Sequence, residues 1–240
     1  MGQPTGNTLT IKPFLAFTGI YLIGLCIMLL IFGYQQSFLI LNNDKTPYFD
    51  WPMFIVTHLG DSMILASLIT LLYVRQKPAV VLTVIIIVIF TGILGQLLKV
   101  TFFEGWDRPL RIFNESPEVH TLPNYRLFHN SFPSGHSITA MAAFTSLVWC
   151  MKPGVTIQLI FASIAIIITY SRIYLGVHFP GDVLAGSLVG IITTILIVPI
   201  VYKHISAIKF NNTFRLVMTI LAVIFLIASS FLLRIYFPLI

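Results

Sequence analysis

The stretch Ser171-Arg172-Ile173-Tyr174-Leu175-Gly176-Val177-His178-Phe179-Pro180-Gly181-Asp182 joins two long apolar runs, yet it carries an arginine, a histidine and an aspartate. Desolvating such groups in lipid is expensive without partners or water, so in a membrane span they mark a functional site by default. Pro180 suits the first position of a helix, where its missing N–H costs nothing, and Asp182 then falls in the first turn, favoured by the helix dipole. His178 lies just before that turn, within reach of the carboxylate. An imidazole held by a carboxylate on one nitrogen presents the other as a nucleophile or base, and Arg172 adds a planar fork suited to phosphate oxygens.

The flanking composition sets the fold class. Of 240 residues, 57% are hydrophobic and only 9% charged, too apolar for a soluble domain and right for an all-α polytopic membrane helix bundle. Six core transmembrane helices are expected at about residues 13–34, 52–74, 78–98, 136–151, 154–173 and 183–202, with a seventh at 214–237. The domain reading is a cytoplasmic tail over 1–12, a membrane domain over 13–213 and an additional C-terminal transmembrane helix within 214–240. The first apolar run is too long for a signal peptide and lacks a small-residue cleavage site, so it reads as an anchor that also begins the bundle. Cys26 and Cys150 lie in different spans without ligand spacing and read as packing residues. Although the formal charge is +6, the basic residues are scattered through short loops with no basic stripe, which argues against nucleic acid as a partner.

Between the spans, Gln35 to Asp50 reads as a connector, and Val100 to Pro133 is the longest polar connection. The aromatics of that second segment are expected mainly as interfacial anchors. Asp61, about ten residues into the second span, is either functional or a residue that bonds neighbouring helices or lines a water-filled cavity. Gly186 and Gly190, four apart, permit close helix packing. Glu104 and Asp107 are expected to steady Arg108 by ion pairing, and His120 and His129 to be ordinary polar loop residues or to line an entrance.

With the N-terminus inside, the cytoplasmic segments hold Lys12, Arg75, Lys77, Lys152, Lys203, Lys209 and Arg215 and no acidic residue, in keeping with the positive-inside bias. Alternate crossings then bring the ends of spans three and five and the starts of spans four and six to the outer face. Lys99, Arg108, His136, Arg172, His178 and Asp182 meet there. Pro133-Ser134-Gly135-His136 opens the fourth span with Ser134 as N-cap, and Gly135 lets an anion approach the free N–H groups of the first turn. Three cations, two histidines and one aspartate around an anion hole fit a dianionic phosphate.

These blocks resemble the signature of the type 2 phosphatidic acid phosphatase superfamily, membrane lipid phosphatases that share a site with vanadium haloperoxidases. Pro133-Ser134-Gly135-His136 and Ser171-Arg172 followed by His178 and Asp182 match in type and spacing. The first block departs, with eight residues rather than six between Lys99 and Arg108-Pro109. The resemblance covers about residues 52–202. It implies that His178 attacks phosphorus to form a phosphohistidine, that Asp182 orients it, and that His136 protonates the leaving oxygen and then activates water. Lys99, Arg108, Ser134, Gly135 and Arg172 would hold the phosphate oxygens, with neither metal nor cofactor required. The implied substrates are phospholipid, isoprenoid or lipid A phosphates in the membrane: phosphatidate, phosphatidylglycerophosphate, undecaprenyl pyrophosphate or lipid A itself. The implied setting is a bacterial inner membrane with the site facing the periplasm or exterior. A phosphotransferase using the same phosphohistidine and a non-catalytic phospholipid transporter are the alternatives.

Overall fold

The computed structural model describes residues 10–43, 46–122 and 125–236. Among them the chain is helical, without strands. The helices are α1 (Lys12–Leu41), α2 (Pro47–His58), α3 (Ser62–Tyr73), α4 (Pro78–Thr101), α5 (Pro109–Ile112), α6 (Gly135–Met151), α7 (Val155–Tyr174), α8 (Pro180–Ser206) and α9 (Asn212–Tyr236). Five of them, α1, α4, α7, α8 and α9, are long and apolar enough to cross a membrane. With α6 at only 17 residues, this is an integral membrane helix bundle, but not a plain set of seven uninterrupted spans. Residues 1–9 of the expected tail lie outside the described residues, as do 237–240. Lys12, expected to end the tail, already opens α1.

Two expected spans are built differently. The first does not stop near residue 34, because α1 bends at Gly33 and then resumes to Leu41, so much of the expected connector is helical. Packing explains the resumption: Phe38 is fully buried, stacked on Phe113 and edge-on to Phe179. The second span is two helices, α2 and α3, bent by 76° at residues 59–61. Asp61 is the N-cap of α3, its carboxylate accepting from the N–H groups of Met63 and Ile64 at 2.9 and 3.2 Å. Gly60 lets the corner seat tightly, since a Cβ there would stand 2.8 Å from Ile168 and 2.9 Å from His136.

At the centre of the bundle lies α6, whose residues from Ser137 to Val148 are all buried against α3, α4, α7 and α8. Lipid is as apolar as leucine, so close packing rather than escape from water holds such helices together. Small residues provide it: a Cβ at Gly186 would stand 2.5 Å from the Ser134 carbonyl oxygen, and one at Gly190 2.6 Å from that of Ile138. The two glycines thus serve packing of α8 on α6 within the chain. Several hydroxyls in the apolar interior are satisfied by their own helix, as in Thr91 to the Ile87 carbonyl at 2.9 Å and Ser146 to that of Ala142 at 2.7 Å. At the opposite end from Arg172, Gln158 ties α7 to the start of α1, accepting from Phe14 N–H at 3.3 Å and donating to the Thr10 carbonyl at 3.0 Å. On the outside of the bundle, α9 packs along α3.

Candidate active site

The α7–α8 junction is a buried turn, not a solvated loop. Gly176 takes a φ of 70°, and a Cβ there would press within 2.5 Å of the His120 carbonyl oxygen, so both the backbone and the space demand glycine. Arg172, on the last turn of α7, is only 2% exposed. It donates to Thr57 Oγ1, at the end of α2, and to Tyr125 Oη at 2.6 Å, and its guanidinium lies 5.6 Å from the centre of the Tyr125 ring. Its Nε is buried without a hydrogen-bond partner among the described residues.

His178 and Asp182 form the centre. Pro180 opens α8 and Asp182 sits in its first turn, as the sequence leads one to expect. Asp182 Oδ2 accepts from Phe179 N–H at 2.9 Å, which caps the helix, and also from Ser131 Oγ. The same oxygen lies 3.2 Å from His178 Nδ1. On the other side of the ring, Arg108 Nη1 stands 3.2 Å from His178 Nε2. A guanidinium can only donate, so Nε2 carries the lone pair and Nδ1 the proton. Burial first, and then the charges of Arg108, Arg172 and Lys99, push the His178 imidazole well below its ordinary titration range and keep it neutral. The Oδ1 atom of the carboxylate accepts from the Tyr34 hydroxyl on α1.

Two cations converge despite the longer spacing between them. Lys99 Nζ donates to the Asn130 carbonyl at 3.0 Å, and Arg108 Nη2 approaches the same oxygen at 3.3 Å. Asn130 has a φ of 57°, a left-handed turn. Arg108 is anchored further through Nε to the His129 carbonyl at 2.6 Å and Nη1 to that of Val177 at 2.9 Å. Backbone bonds from Arg108 N–H to the Phe128 carbonyl and from Ser131 N–H to that of Trp106, at 2.9 and 2.8 Å, draw the two ends of the long connection together. Burial, followed by repulsion from Arg172, lowers the Arg108 guanidinium to about 10, which leaves it cationic at neutral pH.

At the start of α6, Ser134 holds the N-cap position, but its hydroxyl does not cap. It is buried and accepts from Ser137 Oγ at 2.9 Å. Gly135 begins the helix with open space where a Cβ would stand, and His136 follows it. The His136 side chain lies against the α2–α3 corner, where a Cβ added at Gly60 would stand 2.9 Å from it. The eight residues singled out from the sequence thus stand at neighbouring helix ends.

Other expectations turn out differently. Asp107 faces away from Arg108 and pairs with His129 Nδ1 at 2.8 Å and Arg111 at 3.6 Å, because Arg108 is turned inward onto backbone carbonyls. His120 is part of a clasp, bonded at 2.8 Å to Asp50, which also accepts from Tyr174 at 2.8 Å. The aromatics of the connection divide between roles: Phe102 stays exposed, while Tyr125 is buried beneath Arg172. Tyr34, Thr57, Tyr125 and Ser131 reach the site without belonging to any short motif.

A family model, the PAP2 superfamily, matches residues 80–206. Phosphatidylglycerophosphatase B of Bacillus subtilis is 28% identical over 165 residues, covering 64% of this chain and 75% of that protein. An undecaprenyl-diphosphatase of Sulfolobus acidocaldarius is 25% identical over 156 residues, covering 65% of this chain and 72% of that protein. Among solved structures, Aquifex aeolicus LpxE superposes with a TM-score of 0.59 at 31% identity, covering 68% of this chain and 93% of that one. The matched segment contains Lys99, Arg108, Ser134, His136, Arg172, His178 and Asp182, and the chain belongs to the PAP2 superfamily.

Proposed function

We propose that this protein is a lipid phosphatase that hydrolyses a lipid-linked phosphate or diphosphate through a phosphohistidine, at the outer face of a bacterial-type inner membrane. One observation carries the reading: His178 Nε2 faces the fixed guanidinium of Arg108 while Nδ1 faces Asp182, an arrangement in which burial and the nearby cations favour the neutral imidazole. Lys99, Arg108 and Arg172, with Ser134 and the N–H groups at Gly135, would hold the phosphate oxygens. In the first step the Nε2 lone pair forms a bond to phosphorus as the bond from phosphorus to the lipid oxygen breaks. With the anionic phosphate bound beside it, His136 takes up a proton and gives it to that oxygen. Asp182 stabilises the positive charge that develops on the imidazole. A water molecule then attacks phosphorus, His136 takes its proton, the P–N bond breaks, and inorganic phosphate leaves with His178 neutral again. The cations oppose the charge growing on the equatorial oxygens.

The phosphatase domain in this reading is residues 13–213, with 214–240 as an appended transmembrane helix. The names of the relatives favour a phosphate or diphosphate carried on a lipid as the substrate class. Phosphate release by purified protein from a panel of phosphatidate, phosphatidylglycerophosphate, undecaprenyl pyrophosphate and lipid A tests it. The expected result is turnover of at least one, surviving excess chelator and inhibited by vanadate. No release from any of the four overturns the reading, and chelator-sensitive release restored by a divalent ion overturns the metal-free mechanism. Single cysteines replacing Glu118 and Gln76, in a chain lacking Cys26 and Cys150, test the topology with an impermeant thiol reagent on intact cells. Labelling at position 118 alone is expected, and labelling at 76 alone would put the site in the cytoplasm.

A further inference from the structure

The family match begins at residue 80, yet one contact to the central carboxylate comes from far outside it. Tyr34 on α1 donates its hydroxyl to Asp182 Oδ1. Three features bring it there. Gly33, just before it, breaks α1 with a φ of 75° and a ψ of −179°, a conformation essentially restricted to glycine. A Cβ at Gly33 would meet nothing within 4 Å, so crowding does not explain the residue, whereas the backbone turn does. On the opposite side, Gly181 leaves the space that the Tyr34 ring fills, and a Cβ there would collide with that ring. Phe179 and Trp106 then hold the ring, with centroids 4.7 and 6.2 Å away.

The division of labour between the two oxygens of Asp182 gives this contact its meaning. Oδ2 serves the helix cap at Phe179 N–H and faces Ser131 and His178. Oδ1 is taken by Tyr34. A carboxylate bonded on one oxygen alone can swing about its Cβ–Cγ bond, and a second donor on the other oxygen fixes its plane. We propose that Tyr34 is a positioning residue, which holds the Asp182 carboxylate in the plane that faces His178 Nδ1–H and so fixes the orientation of the ring, and that the bend at Gly33 and the gap at Gly181 exist to seat it. This rests on the phosphohistidine reading above for its consequence in turnover, though not for the geometry.

The variant Tyr34→Phe removes only the hydroxyl and keeps the ring between Phe179 and Trp106. Its kcat is expected to fall between about tenfold and a hundredfold, the range seen when outer partners of an oriented histidine are lost. KM should stay within about twofold, because no contact to substrate has been removed. The charged and titratable groups facing the pair are Arg108 before α5, Lys99 on α4, Arg172 on α7 and His136 on α6. All of them remain in the variant. A carboxylate that has lost a donor bears more negative charge beside the ring and favours the imidazolium, so the acid limb of the kcat profile should move to higher pH by about one unit. Tyr34→Phe with wild-type kcat and an unmoved acid limb overturns the proposal. So does a loss of kcat accompanied by a matching loss of thermal stability and an unmoved limb, since that is a packing effect. Nitrogen-15 NMR of the histidines reads the His178 ring without turnover: the Nδ1–H resonance should shift in the variant as its carboxylate partner turns, and an identical spectrum overturns the proposal even where no lipid proves to be a substrate. A wild-type protein that releases no phosphate from any lipid would instead sink the phosphatase reading and leave the resonance of Nδ1–H to decide the role of Tyr34.

Discussion

Two short stretches of non-helical backbone interrupt the apolar helices, and they use their acidic residues in opposite ways. At 59–61 the bend between α2 and α3 carries Asp61, whose carboxylate is occupied with two backbone N–H groups of its own helix. At 175–179 the junction of α7 and α8 leads to Asp182, which also caps its helix but then accepts from Ser131, Tyr34 and His178. Both aspartates mark a helix start. Of the two, only Asp182 bonds side chains beyond its own cap among the described residues. An acidic residue inside an apolar run is therefore judged by whether its acceptor capacity extends past the local cap, not by its depth alone.

Replacing the residue at the heart of each stretch gives the widest separation. His178→Ala should lower kcat by about a thousandfold or more, as removal of a covalent nucleophile does, with insertion and folding intact. Near-wild-type phosphate release by the purified variant would end the contrast between the stretches. Arg172→Lys comes next. A lysine keeps the charge but cannot bond Thr57 and Tyr125 and present a planar edge at once, so kcat/KM should drop about a hundredfold. An unchanged kcat/KM would show that the buried fork is only structural.

The pH profile sharpens the comparison further. The nucleophile is the neutral imidazole, and burial with the neighbouring cations holds His178 well below the ordinary value of 6.5. Activity should accordingly persist as pH falls through 6.5 and be lost only below it. Stability follows the same sign: the unfolded chain protonates this histidine near 6.5 while the folded chain does not, so stability present above 6.5 is lost progressively as pH falls from there toward the folded value. Arg108→Gln removes the largest single charge acting on the ring, so the acid limb of the residual activity should move to higher pH; a fixed limb would assign it to another group. The smallest effect belongs to the other stretch. Asp61→Ala should cost about 1 kcal/mol of stability, as the loss of an N-cap does, with phosphate release within about twofold of wild type. A collapse in turnover without a matching fall in melting temperature would give Asp61 a role in the chemistry.

How far the chain can be read without its structure depends on how local each signal is. Pro180 and Asp182 announce the start of α8 because their effects act within one helical turn. The convergence of four helix ends follows from alternate crossings alone. The corner at Gly60-Asp61-Ser62 was also written locally, as a glycine followed by a capping residue, but the apolar residues around it mask it in any average over a span-length window. Ser134 stands where a cap is expected, yet its hydroxyl turns to Ser137, a choice made by packing under α8. Tyr34 lies 148 residues from Asp182 in sequence, and Thr57 lies 115 from Arg172. Nothing in a tyrosine or a threonine inside an apolar helix signals so distant a partner.

The shortness of α6 has a consequence for where the substrate must stand. At 1.5 Å per residue its 17 residues span about 25 Å, against a hydrocarbon core of about 30 Å. Were its Lys152 end to stand at one boundary of that core, its other end, bearing Ser134 and His136, would stop about 5 Å short of the opposite one. A phosphate drawn to that end would sit just beneath the ester level of its leaflet, so the hydrocarbon tails of its lipid need never leave the bilayer for the headgroup to be cut.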